Sequence, residues 1–161
     1  MMIIPDWKNA IKVSQVLEVK YERSLGEAYS RYLNGLKEKK ILGTKCSTCK
    51  SVYVPPRIYC PNCFKDNLNW IEVPQEGTVS TAVIVYISSK RERLEKPRIV
   101  GVVWLNYVSS NTVKPAIFHN LLGFSEKDVI DGSIIGARVR AKWREESIGS
   151  ILDLEGFERV V

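Results

Sequence analysis

Cys46-Ser47-Thr48-Cys49 and, after ten intervening residues, Cys60-Pro61-Asn62-Cys63 are the stretch on which the reading of this chain turns. A Cys-x-x-Cys pair folds as a tight knuckle that aims two sulfurs and several backbone N–H groups at one cation. Two knuckles on a short hairpin complete a tetrahedral four-sulfur site. The chain has four cysteines, so none is left to act as a nucleophile. Two disulfides would need an oxidising compartment, and Met1-Met2-Ile3-Ile4-Pro5-Asp6 is too short an apolar run for a secretory signal. A redox Cys-x-x-Cys uses one pair beside a βαβ unit, not two symmetric pairs.

A closed thiolate site suits redox-silent Zn2+, although the same ligands hold iron in rubredoxins. Four protein ligands leave no open position for water or substrate, so the expected role of Zn2+ is structural. Four thiolates and one Zn2+ change the formal net charge of +6 to about +4. At 161 residues and 45% hydrophobic, the chain can bury one core and a small satellite unit. No apolar stretch is long enough to span a membrane, which predicts a cytoplasmic protein without a membrane partner. A pI near 9.2 suits a polyanionic partner, and equally a solvated basic surface.

Upstream of the knuckles the pattern is helical. Ser24-Leu25-Gly26-Glu27 reads as a capping box. Leu25, Ala28, Tyr29, Tyr32, Leu33 and Leu36 then form one apolar stripe. Packing on its own molecule is the favoured use of that stripe, with docking to a partner as the alternative. A second helix is expected within Asp6–Tyr21, using Trp7, Ile11, Val16 and Leu17. Between and after the knuckles, Val52 to Val54 read as a strand ended by Pro55-Pro56-Arg57. Leu68, Trp70 and Ile71 read as the exit strand, with Trp70 covering the metal site. So small a ribbon needs the metal as a staple.

From Gly77 onward the pattern is β. Val79, Val83, Val85 and Ile87 fall on one face of a strand over Thr78–Ile87. Further strands are expected at Ile99–Tyr107, Ala116–Leu122 and Ala137–Arg144, and a fifth at Ser150–Leu154 with Phe157. Ser125-Glu126-Lys127-Asp128 reads as a capped helical turn between the third and fourth. That is the plan of an OB-fold barrel, though a small sandwich has the same strand count. The predicted fold is mainly β with an N-terminal α segment: N-terminal helices over 1–41, a rubredoxin-like zinc ribbon over 42–74 and a five-stranded OB-fold barrel over 75–161.

Two basic constellations are candidate ligand sites. Arg138, Arg140, Lys142 and Arg144 alternate with Ala137, Val139, Ala141 and Trp143, so period two puts the cations on one face. The run Lys90 to Arg98 carries five cations, with Lys90, Arg91, Arg93 and Arg98 the candidates on a hairpin loop. Trp104, Tyr86 and Tyr107 could stack bases, but their apolar strands favour core packing. Catalysis finds little support. The single histidine is His119, and there is no Walker loop, G-x-G-x-x-G or H-E-x-x-H.

Several stretches together resemble one family. Leu25-Gly26-Glu27 through Leu36, Gly43 to Cys49, Pro55-Pro56-Arg57, Cys60 to Cys63, Gly77-Thr78-Val79 and Gly136-Ala137-Arg138-Val139 are similar to the zinc-ribbon/OB-fold family long labelled domain of unknown function 35. The likeness runs from about Tyr21 to Val161, and the length and overall look are close to an archaeal, Sulfolobus-type member. By position it implies Cys46, Cys49, Cys60 and Cys63 as zinc ligands. It also implies a non-catalytic accessory of lipid or mevalonate metabolism. The implied partners are acyl-CoA and a thiolase-like or hydroxymethylglutaryl-CoA synthase-like enzyme, with the helix for docking and a homodimer as a further form. The alternative reading is a nucleic-acid-binding ribbon–OB module. Lys50 and Phe64 depart from the family, which usually places glycine after the second cysteine of each knuckle.

Overall fold

The computed structural model describes residues 19–66, 68–108 and 114–160. Trp7, Ile11, Val16 and Leu17, and with them the second expected helix, lie outside the described residues. Helix α1 (Gly26–Lys37) leads into β1 (Ile41–Cys46), β2 (Val52–Tyr53) and β3 (Leu68–Val73), which pair antiparallel in the order β2-β1-β3. Strands β4 (Glu76–Ile87), β5 (Arg93–Leu105), β6 (Ala116–Leu122), β7 (Arg138–Trp143) and β8 (Leu154–Arg159) close a barrel in the order β4-β5-β6-β8-β7. A short helix α2 (Glu126–Ile130) lies between β6 and β7. Five strands in that order, with a helix between the third and fourth, are the OB-fold, and closure removes the sandwich alternative.

The helix stripe is consumed internally. Tyr32 and Leu36 are buried, and Tyr29 and Leu33 pack on the core, so along the helix proper the stripe faces inward; Leu25, ahead of its first turn, stays exposed. Gly35 is buried where a Cβ would lie 2.6 Å from the Leu42 side chain, which is why helix and β1 can approach so closely. The capping box does not form. Gly26 has φ 71, which only glycine adopts without strain, and the turn it makes delays the helix. Among the described residues Ser24 Oγ accepts the Gly26 N–H at 3.4 Å and no N–H of the helix beyond it, and Glu27 sits in the first helical turn. Gln75 ties helix to barrel: its side-chain N–H donates to the Lys39 carbonyl (2.7 Å), and its Oε1 accepts from the Trp143 indole (2.8 Å).

In the barrel, alternation works where the ladder is regular. Along β7, Val139 and Ala141 are buried while Arg138, Arg140 and Lys142 face water. On β4 it fails. The register slips between Val79 and Thr81, and an extra residue in one strand reverses the phase beyond it. Val79 is buried, but Val83 and Ile87 are 53% and 62% exposed, and Ala82 packs on the core in their place. Gly101, paired with Ala82, has no room for a Cβ against the Thr81 carbonyl.

The basic run from Lys90 is a loop only at its tip. Ser88 accepts the Arg91 N–H (3.0 Å) and donates its own N–H to the Glu92 carbonyl (2.8 Å), closing the turn, and Arg93 to Arg98 belong to β5. Ser150 to Asp153 is not strand. Ser150 caps a 3-10 turn (Ile151–Asp153), and β8 begins at Leu154. The Ser125 cap forms as read, with Asp128 completing it: Ser125 N–H donates to Asp128 Oδ2 at 2.7 Å.

Candidate metal centre

The two knuckles are built alike. The Lys50 N–H donates to the Cys46 carbonyl (3.0 Å) and the Cys46 N–H to the Ser51 carbonyl (2.9 Å). In the second, the Phe64 N–H donates to Cys60 (2.7 Å) and the Cys60 N–H to Lys65 (2.8 Å). Lys50 and Phe64 take φ 62 and 55, the left-handed conformation that glycine would adopt freely. Arg57 N–H donates to the buried Thr44 hydroxyl at 3.0 Å, fixing the Pro-Pro-Arg corner against β1.

The turns bring Cys46, Cys49, Cys60 and Cys63 together, with all four sulfurs within 4.8 Å of one another. Cys49 Sγ lies 3.6 Å from Cys60 Sγ. A tetrahedral Zn2+ with Zn–S bonds of about 2.3 Å has a sulfur–sulfur edge of about 3.8 Å, so the donor set fits the ion. Charge requirements agree. The Ser51 hydroxyl, 3.3 Å away, pulls the Cys49 thiol down to about 6. Hydrogen bonding to Cys49, then burial, pushes Cys63 up to about 12. At Cys60 burial acts upward, but the Tyr53 hydroxyl at 3.3 Å and backbone N–H groups leave it lowered. Four sulfurs this close cannot all ionise against one another. A divalent cation in place of their protons removes the conflict.

Trp70, expected to cover the metal site, is engaged by the helix. The Arg31 guanidinium of α1 lies 4.4 Å above its ring, so the tryptophan joins helix to ribbon.

The six basic candidates do not form one site. Arg140 is held by Glu76 at 2.5 Å, which lowers the Glu76 carboxyl, and Arg138 adds a weaker pull on the same acid. Lys142, on the same face, lies 3.7 Å from both Glu155 and Glu158. Lys90 and Arg91 sit at the hairpin tip, and Arg91 and Arg93 line a shallow hollow with Tyr86 and Ile87. Arg98 instead meets Arg144, from the other constellation, in a cleft at one end of the barrel. Sequence spacing could not find that pairing, because barrel closure makes it.

Aromatic placement also differs from expectation. Trp104 is 42% and Tyr86 41% exposed, and only Tyr107 packs on the core. Phe118, 65% exposed, stands with Trp104 on the outer face of β5 and β6, where it pairs with Val102. Lys114 lies 5.1 Å from the Trp104 ring. His119 is half-buried; its Nδ1 has no partner among the described residues, and burial holds the imidazole below its usual value.

Comparison with known proteins places this architecture. Residues 33–69 match the family described as ChsH2, rubredoxin-like zinc ribbon domain. Residues 70–144 match ChsH2, C-terminal OB-fold domain. A DUF35 domain-containing scaffold protein of Methanocaldococcus jannaschii is 29% identical over 66 residues, 40% of this chain and 47% of that protein. The chain thus matches about half the length of that relative. A Sulfolobus solfataricus crystal structure of a DUF35 protein of unknown function superposes with a TM-score of 0.56 at 22% identity, over 83% of this chain and 84% of that one. The structure described as the Ltp2-ChsH2(DUF35) aldolase gives 0.63 at 21% identity, over 87% of this chain and 100% of that one. At such identities these two speak for the fold alone. With two adjoining matches running from 33 to 144 and four converging cysteines in the first, the chain belongs to the DUF35 family, as a ChsH2-type zinc ribbon joined to an OB-fold.

Proposed function

We propose that this chain is a non-catalytic, acyl-CoA-associated accessory protein that partners a thiolase-type enzyme in lipid or mevalonate metabolism. The observation that carries the reading is the metal centre itself. Four protein sulfurs converge on one point, which suits a structural Zn2+ and leaves no coordination position for a reacting group. Family membership supports the same role: a relative is named a scaffold protein, and another occurs in a structure named for Ltp2 and ChsH2 together. The working units are 1–41, 42–74 and 75–161, with Cys46, Cys49, Cys60 and Cys63 as zinc ligands. Co-expression with a thiolase-fold enzyme of the same genome tests the reading. A stable complex is expected, and an enzyme that elutes separately at every salt concentration would remove the partnership.

One observation favours a second reading. Trp104 and Phe118 are exposed on the strand face that OB-folds use for oligonucleotides. As a nucleic-acid module the protein would bind single strands with an affinity that falls steeply with salt. The pairing of Arg140 and Lys142 with acids weakens this reading, since it removes cations a phosphate backbone would use. No oligonucleotide binding at low salt would dismiss it.

A further inference from the structure

The cleft that joins Arg98 to Arg144 has its own chemistry. Its volume is about 510 Å³, within the range of about 300–1,000 Å³ common to small-molecule sites. The middle of β5, just before its pairing with β6 begins at Val100, supplies Arg98 and Ile99, the end of β6 supplies Leu121, and Arg144 follows β7. Ile99 and Leu121 are buried and give the cleft an apolar floor. Phe124 forms a wall, with the Arg159 guanidinium 5.4 Å from its ring centre.

Two guanidiniums, those of Arg98 and Arg144, therefore line one apolar-floored cleft, while Arg159 touches only its Phe124 wall and lines a neighbouring hollow. The contrast with the neighbouring face is informative. Arg140 and Lys142 each have a carboxylate within ion-pair distance, whereas Arg98 and Arg144 have none among the described residues, the Arg144 charge reaching Asp153 only as the weakest of the influences on that carboxyl. Glu155, the acid at the rim, lies 3.7 Å from Lys142. Two guanidiniums that line a common space without an ion-pair partner suit a phosphate, because the planar fork offers parallel N–H donors to two oxygens.

We infer that this cleft binds the phosphate or pyrophosphate group of a small organic ligand, Arg98 and Arg144 gripping the anion while the ligand body lies on Ile99, Leu121 and Phe124. A small ligand is favoured over a nucleic-acid strand because Glu76 of β4 and Glu155 and Glu158 of β8 pair with the cations of β7 and interrupt any continuous basic track leading from the cleft. The site rests on the acyl-CoA reading only for the choice of coenzyme A as one probe.

The full chain is titrated calorimetrically at low salt with inorganic pyrophosphate, ADP, coenzyme A and a single-stranded oligonucleotide. Pyrophosphate and at least one of the two nucleotide-bearing ligands are expected to bind at one site per chain. Arg98→Ala and Arg144→Ala should each weaken that binding by about tenfold or more, the loss of a charge-assisted contact. Both side chains are exposed, so neither variant should unfold, and Lys37→Ala on the far helix end should bind as the parent does. Coenzyme A binding that survives both arginine variants overturns the cleft and leaves the acyl-CoA reading standing. Pyrophosphate and ADP binding lost in the variants, with no affinity for coenzyme A, supports the cleft and removes that reading. Absence of binding by all three small anions, or oligonucleotide binding alone, overturns the inference.

Discussion

Phe64 pairs two costs in one residue: a left-handed backbone at φ 55 and a ring 83% exposed. The backbone part is worth about 1–2 kcal/mol for a non-glycine residue, partly offset by the entropy glycine loses on folding. Phe64→Gly is therefore expected to stabilise the metal-bound protein by up to about 1 kcal/mol, a rise in melting temperature of about 2–4 °C. An unchanged or lower melting temperature would mean that the knuckle does not strain its backbone. Asp153 is a contrasting case, buried yet well supplied with donors. Burial alone would raise its carboxyl, but the N–H groups of Ile148 (3.1 Å), Gly149 (2.7 Å) and Ser150 (3.0 Å) favour the anion and leave it below the usual range. A depressed folded value gives stability that is complete above the unfolded pKa of about 3.9 and is lost as pH falls through the folded one. Asp153→Asn should lower the melting temperature at pH 7 and flatten its fall in acid; an acid limb identical to the parent's would refute this. At this scale the cysteines were legible because their spacing dictates their chemistry. The carboxylates that neutralise Arg140 and Lys142 were not, since Glu76 reaches Arg140 only through the pairing of β4 with β7, and Glu155 and Glu158 reach Lys142 only through the register of β7 with β8.

Among the elements, the ribbon has the least to hold it. Its three strands are 6, 2 and 6 residues long, and its own buried apolar residues are few: Ile41, Val52 and Val73 beside the cysteines. A unit of this size depends on its metal, so folding and ligation are coupled. Removing the ion with a strong chelator should release the amides of 41–73 to rapid hydrogen exchange while β4, β5 and β6 stay protected. Loss of protection throughout the barrel as well would show one cooperative unit, and full protection of the ribbon would show that no staple is needed. Elements with uninterrupted patterns were readable from sequence: β6 spans Ala116–Leu122 and the Ser125 cap starts α2 as expected. Elements with a break in phase were not. The slip after Val79 turns Val83 outward, and no single residue announces it. The charged run ahead of Ile99 read as loop because both its faces are polar. It is strand because the β4–β5 hairpin carries its end into water on both sides.

On the scale of the whole molecule, α1 is the connector. Its stripe packs inward, Arg31 reaches Trp70 of the ribbon, and Lys39 receives Gln75 at the barrel entrance. Ribbon and barrel are thereby fixed to one helix, an arrangement suited to presenting surfaces at set positions. The apolar and aromatic residues left exposed lie elsewhere, at Phe64, Ile58 and Tyr59 on the ribbon and at Trp104 and Phe118 on the barrel. A protein of this kind should act by what it holds. The direct measurement is turnover of an acyl-CoA thioester by a thiolase-fold enzyme of the same genome, assayed alone, with this chain, and with this chain alone. Activity of the enzyme that depends on the added chain, with none from the chain by itself, is the expected result. Turnover by the chain alone, or an enzyme indifferent to its presence, would contradict the accessory role.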